Sequence, residues 1–132
     1  MSADPAGVVS AFTEALVRGE FRIDLIDPAI VIADHDIPDA DDYHGHEGLR
    51  KWLEDDWGSA WESYSIEPGR LETIGDHVLS VFTVVARGKG SGAQTTRRNA
   101  TLNKVENGRV TRIDYYTTEE EARAAAGQGA AT

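Results

Sequence analysis

Three aspartates stand where a fold could bury a carboxylate and give it chemistry to do. Asp34 and Asp36 follow the apolar, β-branched run Ala29-Ile30-Val31-Ile32-Ala33, two residues apart and so on one side of an extended chain. Asp114 lies near the end of the last β-rich run. A carboxylate enclosed by apolar side chains has its pKa raised, and can then take a proton from a carbon beside a carbonyl. Asp36 is the first candidate for such a base, with Asp114 and Asp34 behind it. The opposing reading makes Asp36 one of a run of loop acids with Asp34, Asp39, Asp41 and Asp42, and Asp114 a sheet-surface acid paired with Arg112 or Arg98. His35 could orient Asp36 or relay its proton, although strand alternation turns it the other way.

Other chemistry is poorly supplied. His44 and His46 have the look of a metal-ligand pair, but no third ligand stands at a recognisable spacing, so no metal and no cofactor are expected. With no cysteine in the chain, disulfides, thiolate metal sites and a thiol nucleophile are excluded. The loop Gly88-Lys89-Gly90-Ser91-Gly92 leads into a strand-like segment, whereas a phosphate site would need a helix N-terminus there. Arg97 and Arg98 are adjacent and point to opposite faces. One could hold an anionic group in a pocket and the other face a partner, or both could pair with surface acids.

These residues need elements to position them. Asp4 and Pro5 suit the cap and first position of a helix running to about Arg18, with Val8, Phe12 and Leu16 on one apolar face. A short helical turn over Phe21 to Ile26 ends at Pro28. A second helix starts near His46 and places Leu49, Trp52, Leu53, Trp57 and either Ala60 or Trp61 at helical spacing. Four β-rich segments follow, at about Tyr64–Ile74, His77–Arg87, Ala93–Glu106 and Arg109–Tyr116. They are joined by Gly75-Asp76, the glycine loop and Asn107-Gly108, a strong type I′ signal. Thr118 and Glu121 form a capping-box pattern that opens a short helix ending near Gly127. The expectation is an α+β domain over residues 1–127, with 128–132 a frayed tail. Its antiparallel sheet is strongly curved and wrapped on the N-terminal helices, leaving a cone-shaped pocket between them. With few helices left to cover the outer sheet face, a homodimer through that face is expected.

The size and charge agree with this. A chain of 132 residues makes one domain. Its 23 acids against 13 Lys and Arg, a formal net charge of −10, repel nucleic acid and anionic lipid, so neither is an expected partner. No apolar run is long enough for a membrane span, and Met1-Ser2-Ala3-Asp4-Pro5 lacks a secretory leader, so a cytoplasmic location is expected.

The order of these motifs resembles a known family. Tyr43-His44-Gly45-His46-Glu47-Gly48-Leu49 leads into a Trp-rich helix. Then come the Gly75-Asp76 hairpin, Lys89-Gly90-Ser91-Gly92, Val105-Glu106-Asn107-Gly108-Arg109-Val110 and Tyr115-Tyr116 before Glu119-Glu120-Glu121. This looks like the SnoaL-like branch of the nuclear transport factor 2-like superfamily. The resemblance implies a cone-shaped α+β barrel holding a small, largely hydrophobic molecule, usually as a dimer. It also implies that any enzyme would be a cofactor-independent isomerase, cyclase or dehydratase. It puts Asp36 at the base position of the steroid isomerases and Trp52 at an aromatic pocket wall. It also departs from them: Phe12 stands near their helix tyrosine, Ala100 at their penultimate-strand acid, and Tyr115 at the last-strand aspartate of the cyclases and epoxide hydrolases. The steroid isomerase mechanism therefore lacks its electrophile. Phe12, Trp52, Phe82, Val84, Ala100, Ile113 and Tyr115 are the expected pocket lining. The alternative function is a non-catalytic ligand-binding or accessory protein with a degenerate catalytic set.

Overall fold

Helix α1 (Pro5–Val17) begins where Asp4 accepts a hydrogen bond from the Gly7 N–H at 3.3 Å, and it buries Val8, Val9, Phe12 and Ala15. The computed structural model describes residues 4–36, 41–57 and 61–130. A 3₁₀ turn (Ile23–Leu25) leads into strand β1 (Ile26–Asp34), longer than the β-branched run alone implied. The short strand β2 (Tyr43–His44) pairs with it. Helix α2 (Gly45–Arg50) then continues as a π-helical segment (Lys51–Trp57). Trp61 opens strand β3 (Trp61–Ile74) rather than closing the helix, so the three tryptophans do not share one helical face. Strands β4 (His77–Gly88), β5 (Gln94–Glu106) and β6 (Arg109–Tyr116) follow, and helix α3 (Glu119–Ala130) ends the described chain.

The hairpin signals of the sequence produce the expected neighbours. Asn107 and Gly108 both have positive φ, 54° and 77°, as a type I′ turn demands between Glu106 and Arg109. The glycine loop joins β4 to β5, closed by the Gly88 N–H on the Ala93 carbonyl at 3.0 Å. Register shifts between Pro68 and Leu71, the mark of a bulge. There the backbone passes so close to β4 that a Cβ on Gly69 would stand 2.5 Å from the Val81 carbonyl oxygen, and only glycine fits.

Two features depart from the sequence reading. The sheet order is β2-β1-β6-β5-β4-β3, and β1 lies parallel to β6, so the sheet is mixed and not closed. Only the later strands are joined by hairpins. β1 is separated from β6 by most of the chain and is free to enter in either direction. Helix α3 also lies across the sheet from α1 and α2. Its Ala122 and Ala126 pack on Leu79, Val81, Ala100 and Leu102, a second core separate from the one holding Phe12, Trp52, Ile113 and Tyr115. The outer face is thus partly covered by the chain itself, which narrows the surface left for the expected homodimer. Thr118 caps α3 as its pattern required, accepting from the Glu121 N–H at 3.1 Å. The helix runs through residues 128–130, where a frayed tail was expected, and 131–132 lie outside the described residues. Of the loop acids, Asp39 lies outside the described residues.

Candidate functional site

Side chains that alternate toward the helices meet α1 and the π-helical segment around a cavity of about 60 Å³. Phe12, Thr13 and Leu16 come from α1, Leu49 from α2, Trp52 and Leu53 from the π-helical segment, and Ile113 and Tyr115 from β6. Phe82 joins them from β4, so five of the seven residues expected to line a pocket do so. Two do not. Val84 is buried one repeat farther along β4, outside the cavity wall. Ala100 faces α3 on the other side of the sheet, because alternation along β5 sends Thr101 and Asn103 inward and Ala100 and Leu102 outward.

The polar floor of the cavity is Ser80, Thr101 and Asn103. The sequence reading missed it. Its signal was parity: Ser80 shares a face with Phe82, and Ser80 pairs with Thr101 in register. Asn103 Nδ2 donates to the Val78 carbonyl at 3.2 Å and to Thr101 Oγ1 at 3.0 Å, so the Thr101 hydroxyl accepts on one side and retains its proton for another partner. Tyr115 is 1% exposed and meets the Trp52 ring edge-on, centroids 5.7 Å apart.

None of the three candidate carboxylates lines the cavity. Asp34 comes nearest to it in connectivity. It ends β1 on the inward side with Ile30 and Ile32, and its Oδ2 accepts from the Trp52 indole N–H at 2.8 Å, so it braces the back of a wall residue. Asp36 is exposed on the turn after β1, contrary to the expectation that it faces a pocket. Its backbone N–H donates to Asp34 Oδ1 at 2.9 Å, an Asx turn that bends the chain out of the sheet and carries the Asp36 side chain away with it.

Asp114 belongs to the outer face. It is 8% exposed and accepts two bonds from Arg112, at 2.9 and 3.0 Å, while His35 Nε2 lies 2.9 Å from its Oδ1. His35 therefore partners Asp114 and not Asp36, and its ring stacks on Tyr116 with centroids 4.5 Å apart. The Asp114 bonds hold the Arg112 guanidinium above its usual pKa, and burial followed by the Asp114 charge pushes the Tyr116 phenol up. The arginine pair also divides as alternation requires. Arg98 reaches Glu119 on α3 at 3.4 Å, and Arg97 lies over the Trp61 ring at 5.7 Å. Neither enters the cavity.

A family model described as a SnoaL-like domain matches residues 6–113. No curated protein matches the sequence. Among solved structures, an NTF2-like protein from Burkholderia thailandensis superposes with a TM-score of 0.75 at 22% identity, covering 96% of this chain and 98% of that one. TerC, co-crystallized with polyporic acid, gives 0.72 at 13% identity, covering 94% and 99%. A protein of ketosteroid isomerase-like fold from Catenulispora acidiphila, in complex with trimethylamine, gives 0.62 at 20% identity, covering 93% and 88%. Among the described residues no helix is long and apolar enough to cross a membrane.

Proposed function

From the premise that this chain belongs to the SnoaL-like domain family, whose model spans residues 6–113, we propose that it binds a small, largely apolar molecule between its helices and sheet. The observation that carries the reading is the cavity itself: aromatic and aliphatic walls from Phe12, Leu49, Trp52, Phe82, Ile113 and Tyr115, with a few convergent polar groups on its floor. Structural relatives hold polyporic acid in one case and trimethylamine in another, in keeping with a fold that takes small guests.

Binding is preferred to acid–base catalysis for a physical reason. Isomerisation, cyclisation or dehydration without a cofactor needs an acid–base group in contact with the substrate. Among the described residues the cavity wall carries no carboxylate, histidine or lysine, and Asp34 reaches it only through the Trp52 indole. Phe12 and Tyr115, which line the cavity at positions where the resemblance places catalytic groups, favour the same reading.

Xenon tests it, because dry apolar cavities take up xenon or benzene. Under xenon pressure the methyl resonances of Leu49 and Ile113 should shift saturably, and Phe82→Trp, which fills the cavity, should abolish the shift while the far-ultraviolet dichroism stays unchanged. Uniform small shifts across all methyls, unaffected by Phe82→Trp, would sink the reading.

A further inference from the structure

Beside the cavity lies a second space that shares part of its wall. Leu16, Leu53 and Ile66 belong to the cavity wall and also to the wall of an outer vestibule of about 300 Å³. The vestibule continues past Val17 and Phe21 on one side and Tyr64 on the other, with Glu54 at its rim. Val17 and Tyr64 are 43% and 41% exposed, two of the large hydrophobic side chains the fold leaves to solvent. Their exposure is unfavourable unless something apolar covers them.

The two spaces differ in what they can hold. At about 60 Å³ the inner cavity alone takes only a few carbon atoms. With the vestibule, the combined space reaches the size usual for a ligand site, roughly 300–1,000 Å³. The rim is polar. Glu54 lies 3.9 Å from Arg50 in an exposed pair, and the Tyr64 phenol is pushed up by burial and by the nearby Glu54 charge. A guest can thus keep a polar end in water at the rim while its apolar length passes inward.

Leu53 holds the boundary. It projects from the π-helical segment, where the widened turn departs from the regular helical ladder. Leu16 faces it from α1 and Ile66 from β3, so all three elements that form the mouth contribute one aliphatic side chain.

We propose that cavity and vestibule form one continuous site for an elongated, mostly apolar molecule with a neutral polar end, and that Leu53 is the specificity-determining gate between its two halves. This rests on the binding reading above and adds the shape of the ligand and the residue that limits it.

A homologous series of 1-alkanols from butanol to octanol, titrated calorimetrically into the full chain, tests the idea. If the site is continuous, affinity rises about fourfold per added methylene across the whole series. Leu53→Trp, which plugs the boundary, should flatten the series beyond the shortest alcohols. Leu53→Ala, which opens the boundary without adding bulk, should keep the full rise. A wild-type series that levels off at butanol or pentanol overturns the proposal, as does a Leu53→Trp series as steep as wild type. Loss of both xenon and alcohol binding in the wild type removes the binding reading itself and this proposal with it.

Discussion

Replacing Trp52 by Phe separates the packing of the cavity wall from the bond behind it. Trp52 is 5% exposed, and its indole N–H donates to Asp34 Oδ2 at 2.8 Å. Phe keeps an aromatic ring toward Tyr115 and removes the donor. A hydrogen bond to a charged group contributes about 1.5–3 kcal/mol. The lower end applies here, because Asp34 is only half-buried and water can replace part of the loss. Trimming the indole to a phenyl ring adds about 1–2 kcal/mol of lost packing. The expected destabilisation is therefore about 3 kcal/mol, a large share of the roughly 5–15 kcal/mol that holds a domain of this size. Urea unfolding measures it. A double-mutant cycle with Asp34→Ala isolates the bond, since the packing loss cancels, and a coupling of about 1.5 kcal/mol is expected. A coupling below about 0.5 kcal/mol would show that Asp34 does not brace the wall, and the connection between β1 and the cavity would fall.

The remaining predictions concern the outer face. Bonds from Arg123 hold the Glu72 and Glu119 carboxyls below the usual carboxylate range, joining α3 to β3. Because these pKa values are depressed in the fold, their contribution is complete above the unfolded value of about 4.3 and is lost as pH falls through the lower folded values. Amide-exchange protection of Ala122 and Ala126 should fall below pH 4 before that of the central strands, and Glu119→Gln should weaken it at neutral pH; equal protection at pH 3 and pH 7, after correction for intrinsic rates, would refute this. Self-association through the outer face is proposed for the part that α3 leaves open, and sedimentation at micromolar concentration should give a dimer, whereas a monomer rules it out.

Much of the fold was legible because its signals are local. Asp4 and Pro5 start α1, Asn107 and Gly108 set a turn through two positive φ angles, and Thr118 caps α3 through a bond to a residue three positions on. Alternation and helical spacing likewise found Phe12, Trp52, Phe82, Ile113 and Tyr115 for the cavity. Ala100 failed by a single step of parity, since one residue along a strand exchanges the two faces of the sheet. The polar floor of Ser80, Thr101 and Asn103 needed the register between β4 and β5 before its members could be brought together.

Tertiary structure decided what no short window contains. The parallel entry of β1 beside β6, the placement of α3 against Leu79 and Leu102, and the boundary shared by Leu16, Leu53 and Ile66 all join residues far apart in the chain. The same holds for the acids. By sequence Asp36 stands ahead of Asp114 and Asp34 as a candidate base. In the fold, an Asx turn sends Asp36 into solvent, Arg112 and His35 engage Asp114 on the outer face, and only Asp34 touches a residue of the cavity wall. Local pattern along the chain set which side chains were available to the site. Which of them meet was decided by packing, because a carboxylate takes its chemistry from the neighbours that desolvate it or bond to it, and those neighbours come from other elements.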